Sequence, residues 1–181
     1  MLKRYILTGA PGSGKTSVLR YLETLGYAVV AEAATDVIAL EQALGNDEPW
    51  TNCKFIDQVV ALQKQRQILT SSISANVMFF DRSPIDALAL CMYLKCEPTQ
   101  DLQQELGRIQ VERVYEDTVF FLENLGYCEP TAARRITFEE ALQFERIHEE
   151  AFHRGGYQIV KVPALSIAER ARNILSIAGL P

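Results

Sequence analysis

Five short apolar runs punctuate the chain, at residues 5–8, 27–30, 77–80, 119–122 and 158–162. Each is nearly continuous rather than alternating, which predicts strands covered on both faces. The stretches between them carry helical punctuation. Ser83-Pro84-Ile85-Asp86 reads as a capping box with proline at the first helical position. Thr137-Phe138-Glu139-Glu140 repeats the box ahead of a helix that should stop at Gly155-Gly156, and Ser166-Ile167-Ala168-Glu169 opens another that should end at Gly179. A long helix is expected over 51–72, with Phe55, Ile56, Val59, Val60 and Leu62 on one side, and a further one over 101–115.

Alternation of strands and helices implies a parallel sheet wrapped by helices through right-handed crossovers. Ligands of such sheets sit beyond the carboxyl ends of the strands. Five positions should therefore share one cleft: the loop from Gly9 to Thr16, then Glu32, then Asp81 with Arg82, the segment after Leu122, and Pro163 to Ser166.

The first of these is the loop Gly9-Ala10-Pro11-Gly12-Ser13-Gly14-Lys15-Thr16-Ser17. It fits the pattern G-x-x-x-x-G-K-[ST] between a strand and a helix. Glycines let successive backbone N–H groups turn inward around phosphate oxygens, and the following helix adds unpaired N–H groups and the positive end of its dipole. Lys15 should reach the β- and γ-phosphates, and the Thr16 hydroxyl should ligate Mg²⁺. The expected ligand is ATP with Mg²⁺.

Asp81 at the mouth of the cleft can hold the metal or take a proton from an acceptor hydroxyl. In the working mechanism it positions or deprotonates that hydroxyl. Arg82 can hold an anionic group and neutralise developing charge. Asp86 reads as a helix cap. Glu32 can bind substrate or metal, and Gln63 and Arg66, in register with Val59 and Leu62 on the long helix, can contact substrate. The irregular segment 123–136 has the length of a lid, and Arg134 and Arg135 at its end can swing over a transferring phosphate. Pro163-Ala164-Leu165 offers an apolar surface to an adenine ring.

Composition narrows the partners. A net charge of −5 with scattered arginines argues against nucleic acid. The cysteines 53, 91, 96 and 128 form no C-x-x-C and meet only two histidines, so a zinc site is disfavoured and reduced thiols in a cytoplasmic protein are expected. Neither a signal peptide nor a membrane span is expected, and 181 residues suit a single domain over 1–181. A homo-oligomer stays open. The absence of N-K-x-D, and of D-x-x-G after the third strand, disfavours a Ras-like switch. The chain is also short for a ring-forming motor.

Read together, GAPGSGKT, VVAEAATDVI, FFDRSPIDALAL, VFFLENL, ARRITFEEA and GYQIVKVPALSIAERARNIL resemble the small AAA-domain group of P-loop ATPases. That group is similar to the ribosylnicotinamide kinase domain and, more distantly, to nucleoside and nucleotide kinases. The resemblance covers nearly the whole chain. It implies a three-layer α/β/α P-loop fold with a five-stranded parallel sheet in order 2-3-1-4-5, ATP·Mg²⁺ as phosphate donor, and a lid after the fourth strand. It also implies phosphate and metal roles for Gly9, Gly14, Lys15 and Thr16, an acid-arginine pair at Asp81 and Arg82, and a lid arginine at Arg134 or Arg135. Relatives often carry an arginine three residues after the glutamate that follows the second strand, where this chain has Thr35. The expected activity is transfer of the γ-phosphate to a small nucleoside- or nucleotide-like acceptor. The alternative is an ATPase or nucleotide-binding regulator with no small acceptor.

Overall fold

The structure is a computed structural model that describes residues 2–70, 73–126 and 137–181, with only the backbone of Cys53 and Phe138. The order is β1 (Lys3–Thr8), α1 (Lys15–Thr24), β2 (Ala28–Val30), α2 (Ala33–Ala43), a 3₁₀ turn (Pro49–Thr51), α3 (Cys53–Thr70), β3 (Val77–Asp81), α4 (Pro84–Leu94), α5 (Gln100–Val111), β4 (Thr118–Leu122), α6 (Phe138–Arg154), β5 (Gln158–Val162) and α7 (Ile167–Ala178). The strands form one sheet in the order β2-β3-β1-β4-β5, every pairing parallel.

Successive side chains on a strand face opposite sides, so each central strand feeds two cores. Tyr5, Leu7, Phe79 and Phe120 pack against Val18, Leu22 and Ile174 of α1 and α7. Ile6, Met78, Phe80 and Val119 face Ile85, Ile109 and Phe152 of α4, α5 and α6. This explains the continuous apolar runs. The edge strand β5 departs from the expectation, because Gln158 and Lys161 are exposed, Lys161 reaching out to Glu149 of α6 at 2.8 Å.

The three capping boxes form as their sequences require, with Ser83–Asp86, Thr137–Glu140 and Ser166–Glu169 bonded reciprocally. Such caps contribute about 1 kcal/mol each. Along α3 the buried positions are Phe55, Ile56, Val59, Val60, Gln63 and Gln67, with Leu62 only half-buried. The 3.6-residue period carries the inward face from 56 through 60 and 63 to 67, so two polar side chains follow the apolar ones inward. Among the described residues no helix is long and apolar enough to cross a membrane.

Register fixes the site. Leu7 of β1 lies beside Asp81 of β3, so Asp81 ends its strand level with the start of the glycine loop. The loops after β1, β2, β3 and β4 then open at one edge of the sheet.

Candidate functional site

Gly9 leaves β1 at φ +134°, and a Cβ there would lie 2.5 Å from the Leu122 carbonyl oxygen. Only glycine fits that approach. Gly14 takes the N-cap of α1 at φ +80° without a capping side chain. The first amides of α1 are thus left for an anion, as at other helix N-termini. Lys15 is buried and folds back over the loop, donating to the carbonyls of Gly9 and Ala10 at 2.9 Å each and to Ser13 Oγ at 3.3 Å. Burial and the charge of Arg82 bring its ammonium down to about 7, against the pull of Asp81, Glu32 and Asp86. Pro11 extends to the wall of a neighbouring cavity, and Gly12 and Ser17 complete the turn and the start of α1.

Thr16 Oγ1 donates to Asp81 Oδ2 at 2.7 Å. Asp81 is 2% exposed and its Oδ1 has no hydrogen-bond partner. Burial raises its carboxyl above the usual range, with Lys15 pulling the other way. A hydroxyl beside a buried carboxylate with a spare oxygen suits Mg²⁺, which binds through one or two such groups and keeps several waters.

Arg82 follows in a left-handed conformation, φ +70°, its own N–H bonded to the Leu7 carbonyl at 3.0 Å. Its guanidinium gathers the residues around the cleft. Nε donates to Glu32 Oε1 at 2.5 Å, and one Nη donates to Asp86 Oδ1 at 3.2 Å and to His148 Nε2 at 3.1 Å. The proton assignment on His148 follows from its other nitrogen: Nδ1 lies 2.8 Å from the Phe144 carbonyl, which can only accept, so Nε2 is the acceptor. Burial lowers the imidazole to about 4 and keeps it neutral. Asp86 caps α4 through Ser83, as its sequence position predicts, and also accepts from Thr8 Oγ1 at 2.5 Å.

Glu32 stands at the N-cap of α2 but does not cap it. Its side chain turns to Arg82, and its second oxygen accepts from Thr35 at 2.7 Å. Burial works to raise this carboxyl, but the charges of Arg82 and Lys15 and the two hydrogen bonds overcome it and bring it to about 2. Glu32 is therefore an anion at any ordinary pH.

Beyond this pair opens a cavity of about 190 Å³. Ile38, Trp50, Phe55, Val59, Leu90 and Phe144 supply apolar walls, while Glu32, Thr35, Gln63, Arg82 and Asp86 supply polar ones. Gln63 is 8% exposed and its Oε1 has no hydrogen-bond partner. Arg66 lies elsewhere. It donates to the carbonyls of Ala31 at 3.0 Å and Glu32 at 2.8 Å and pairs with Asp36, so it braces the β2–α2 turn from behind. Pro163, Ala164 and Leu165 are exposed after β5. Arg134, Arg135 and residues 127–136 of the expected lid lie outside the described residues.

The fold thus brings the loop, Asp81, Arg82, Glu32 and Gln63 to one edge. His148, Thr35 as a partner of Glu32, and the aromatic cavity wall join them without having been expected. His148 carries no local signal, being one polar position on a helix remote in sequence.

The family described as AAA domain matches residues 4–170. Among solved structures, this chain is similar to deoxyadenosine kinase from M. mycoides. With the products dCMP and a flexible dCDP bound, that enzyme superposes with a TM-score of 0.66 at 16% identity, over 97% of this chain and 98% of the other. With dATP bound, it superposes with a TM-score of 0.61 at 17% identity, over 97% and 99%. Among curated proteins none matches this sequence. The sheet order and helices are those of a P-loop nucleoside kinase fold.

Proposed function

This chain belongs to the AAA domain family, and on that premise we propose that it is a kinase transferring the γ-phosphate of ATP to a hydroxyl of a small, nucleoside-like acceptor. One observation carries the reading: the Glu32–Arg82 pair stands between the phosphate loop and an apolar cavity with a polar mouth. A nucleotide-holding regulator has no need of that second chamber. The similarity to a deoxyadenosine kinase supports the same class of acceptor.

The cavity argues for ring size and charge. An apolar cavity of about 150 Å³ takes up a benzene ring, so one of 190 Å³ admits a single heterocycle. Its described walls carry the carboxylates of Glu32 and Asp86 against the one cation of Arg82, which favours a neutral acceptor over a phosphorylated one. Thr35, where relatives often carry an arginine, adds no charge. The spare Oε1 of Gln63 awaits a ring N–H or amino group.

The two carboxylates divide the work. Asp81 and Thr16, bonded to each other, would hold Mg²⁺, which would supply charge neutralisation at the phosphates. Glu32 lines the acceptor cavity and accepts the hydroxyl's hydrogen bond. The hydroxyl oxygen forms the new bond to the γ-phosphorus as the bond to ADP breaks, and its proton passes to Glu32. A carboxylate held near 2 orients the hydroxyl rather than stripping it early, which suffices for a loose phosphoryl transition state. Lys15 and Arg82 stabilise the charge in transit. Arg134 or Arg135 adds a further cation in this mechanism.

The test is a screen of nucleosides, deoxynucleosides, nucleotides and vitamin precursors for acceptor-dependent ADP release. A neutral nucleoside should raise ADP release well above the ATP-only rate. Turnover indifferent to every acceptor would replace the kinase with the ATPase or regulator reading.

A further inference from the structure

Outside the residues that face the cleft, one buried cation touches the phosphate loop from behind. Arg170, in the first turns of α7, is 2% exposed. Its Nε donates to the Pro163 carbonyl at 2.9 Å, one Nη donates to the Ser13 carbonyl, and the other donates to the Glu123 carbonyl at 2.7 Å. Those acceptors belong to the segment after β5, the glycine loop and the segment after β4. A single planar fork thus ties together three of the chain segments that leave the sheet at its ligand-binding edge.

We propose that Arg170 is a positioning residue for polyphosphate binding. It holds the Ser13 carbonyl outward and thereby aims the Gly14 N–H into the phosphate cradle. The proposal rests on the nucleotide-binding reading above. No peptide bond among the described residues is cis, and in a trans peptide the carbonyl of one residue and the N–H of the next point in opposite directions. Fixing one fixes the other. Gly14 itself takes a left-handed φ of +80°, and a Cβ on it would stand 3.3 Å from the Arg170 guanidinium. The loop and the arginine are fitted to each other.

Charge adds to geometry. The hydrogen-bond acceptors of Arg170 are neutral carbonyls, and the Glu123 carboxylate reaches it only through its field. Arginine does not give up its proton in a protein, so a full positive charge stays buried behind the loop. A bound polyphosphate supplies the countercharge. Lysine cannot substitute, because a point ammonium does not span three fixed acceptors.

The experiment compares wild type, Arg170→Lys and Arg170→Gln by calorimetry, with ATP·Mg²⁺ and with inorganic tripolyphosphate as probes. Removing a charge-assisted contact of this kind should weaken binding by about tenfold to a hundredfold. The loss should be the same for both probes, because it lies at the phosphates. Affinities unchanged in both variants would overturn the proposal, as would a loss confined to ATP, which would place Arg170 at the base instead. If neither variant folds, the wild-type Arg170 Nε–H resonance decides: it should shift on tripolyphosphate addition, and an unmoved resonance overturns the proposal. Wild-type protein that binds neither probe sinks the nucleotide reading first, and so separates the two failures.

Discussion

Arg82 donates its Nε–H to Glu32 Oε1 at 2.5 Å, tying the residue after β3 to the residue after β2. The bond holds a charged carboxylate at the wall of the cavity. Replacing Glu32 with Gln keeps the shape and removes the charge. Transfer to the acceptor should fall by about a hundredfold, the usual scale for a positioned acid or base. ATP·Mg²⁺ affinity should stay within a few-fold, since Glu32 lies outside the loop. Transfer at the wild-type rate would remove Glu32 from the reaction.

Lys15 has an ammonium lowered to about 7 by burial and by Arg82. A bound triphosphate favours the charged form, so the complex holds the proton more tightly than the free protein. Binding at pH 8 should therefore take up protons, and affinity should decline as pH rises through 7. Calorimetry at pH 8 in buffers of different ionisation heat measures the uptake. Identical heats in all buffers would contradict the lowered value.

Asp86 is buried and accepts from Thr8, from Ser83 twice and from Arg82. Its removal uncaps α4 and leaves Arg82 with one fewer countercharge. Breaking such a buried network by deleting one partner costs about 3 to 5 kcal/mol. Asp86→Ala should lose that much in urea denaturation. A loss under about 1 kcal/mol would mean that Glu32 alone balances Arg82.

Trp50 is the chain's single tryptophan and lines the cavity proposed to take the acceptor. An acceptor that enters should change its fluorescence, while ATP·Mg²⁺ alone, seated on the glycine loop, should leave it nearly unchanged. A response to ATP of equal size would put Trp50 on the donor side.

The glycine loop, the capping boxes and the Asp81-Arg82 pair were legible in the chain because each is local: spacing and residue type carry the physics. Gln63 and Arg66 illustrate the boundary. Both sit on α3 near its apolar face, three residues apart, yet Gln63 turns into the cavity and Arg66 reaches backbone carbonyls of the β2–α2 turn. A helix period gives a direction around an axis and says nothing of what stands there. His148 and Arg170 belong to the same class. His148 meets Arg82 across 66 residues of sequence and Arg170 meets Ser13 across 157, and no short-range pattern encodes such a meeting.

The left-handed backbone at Arg82 has a further consequence. Asp81 meets Thr16 of α1, whereas Arg82 meets Asp86 of α4 and His148 of α6. Neighbours on a strand project to opposite sides of the sheet, so two consecutive codons furnish a carboxylate to one layer and a guanidinium to the other. The turn at φ +70°, costing about 1 to 2 kcal/mol, ends the strand at that point. Inserting a single regular residue into β3 ahead of Asp81 would exchange the two layers.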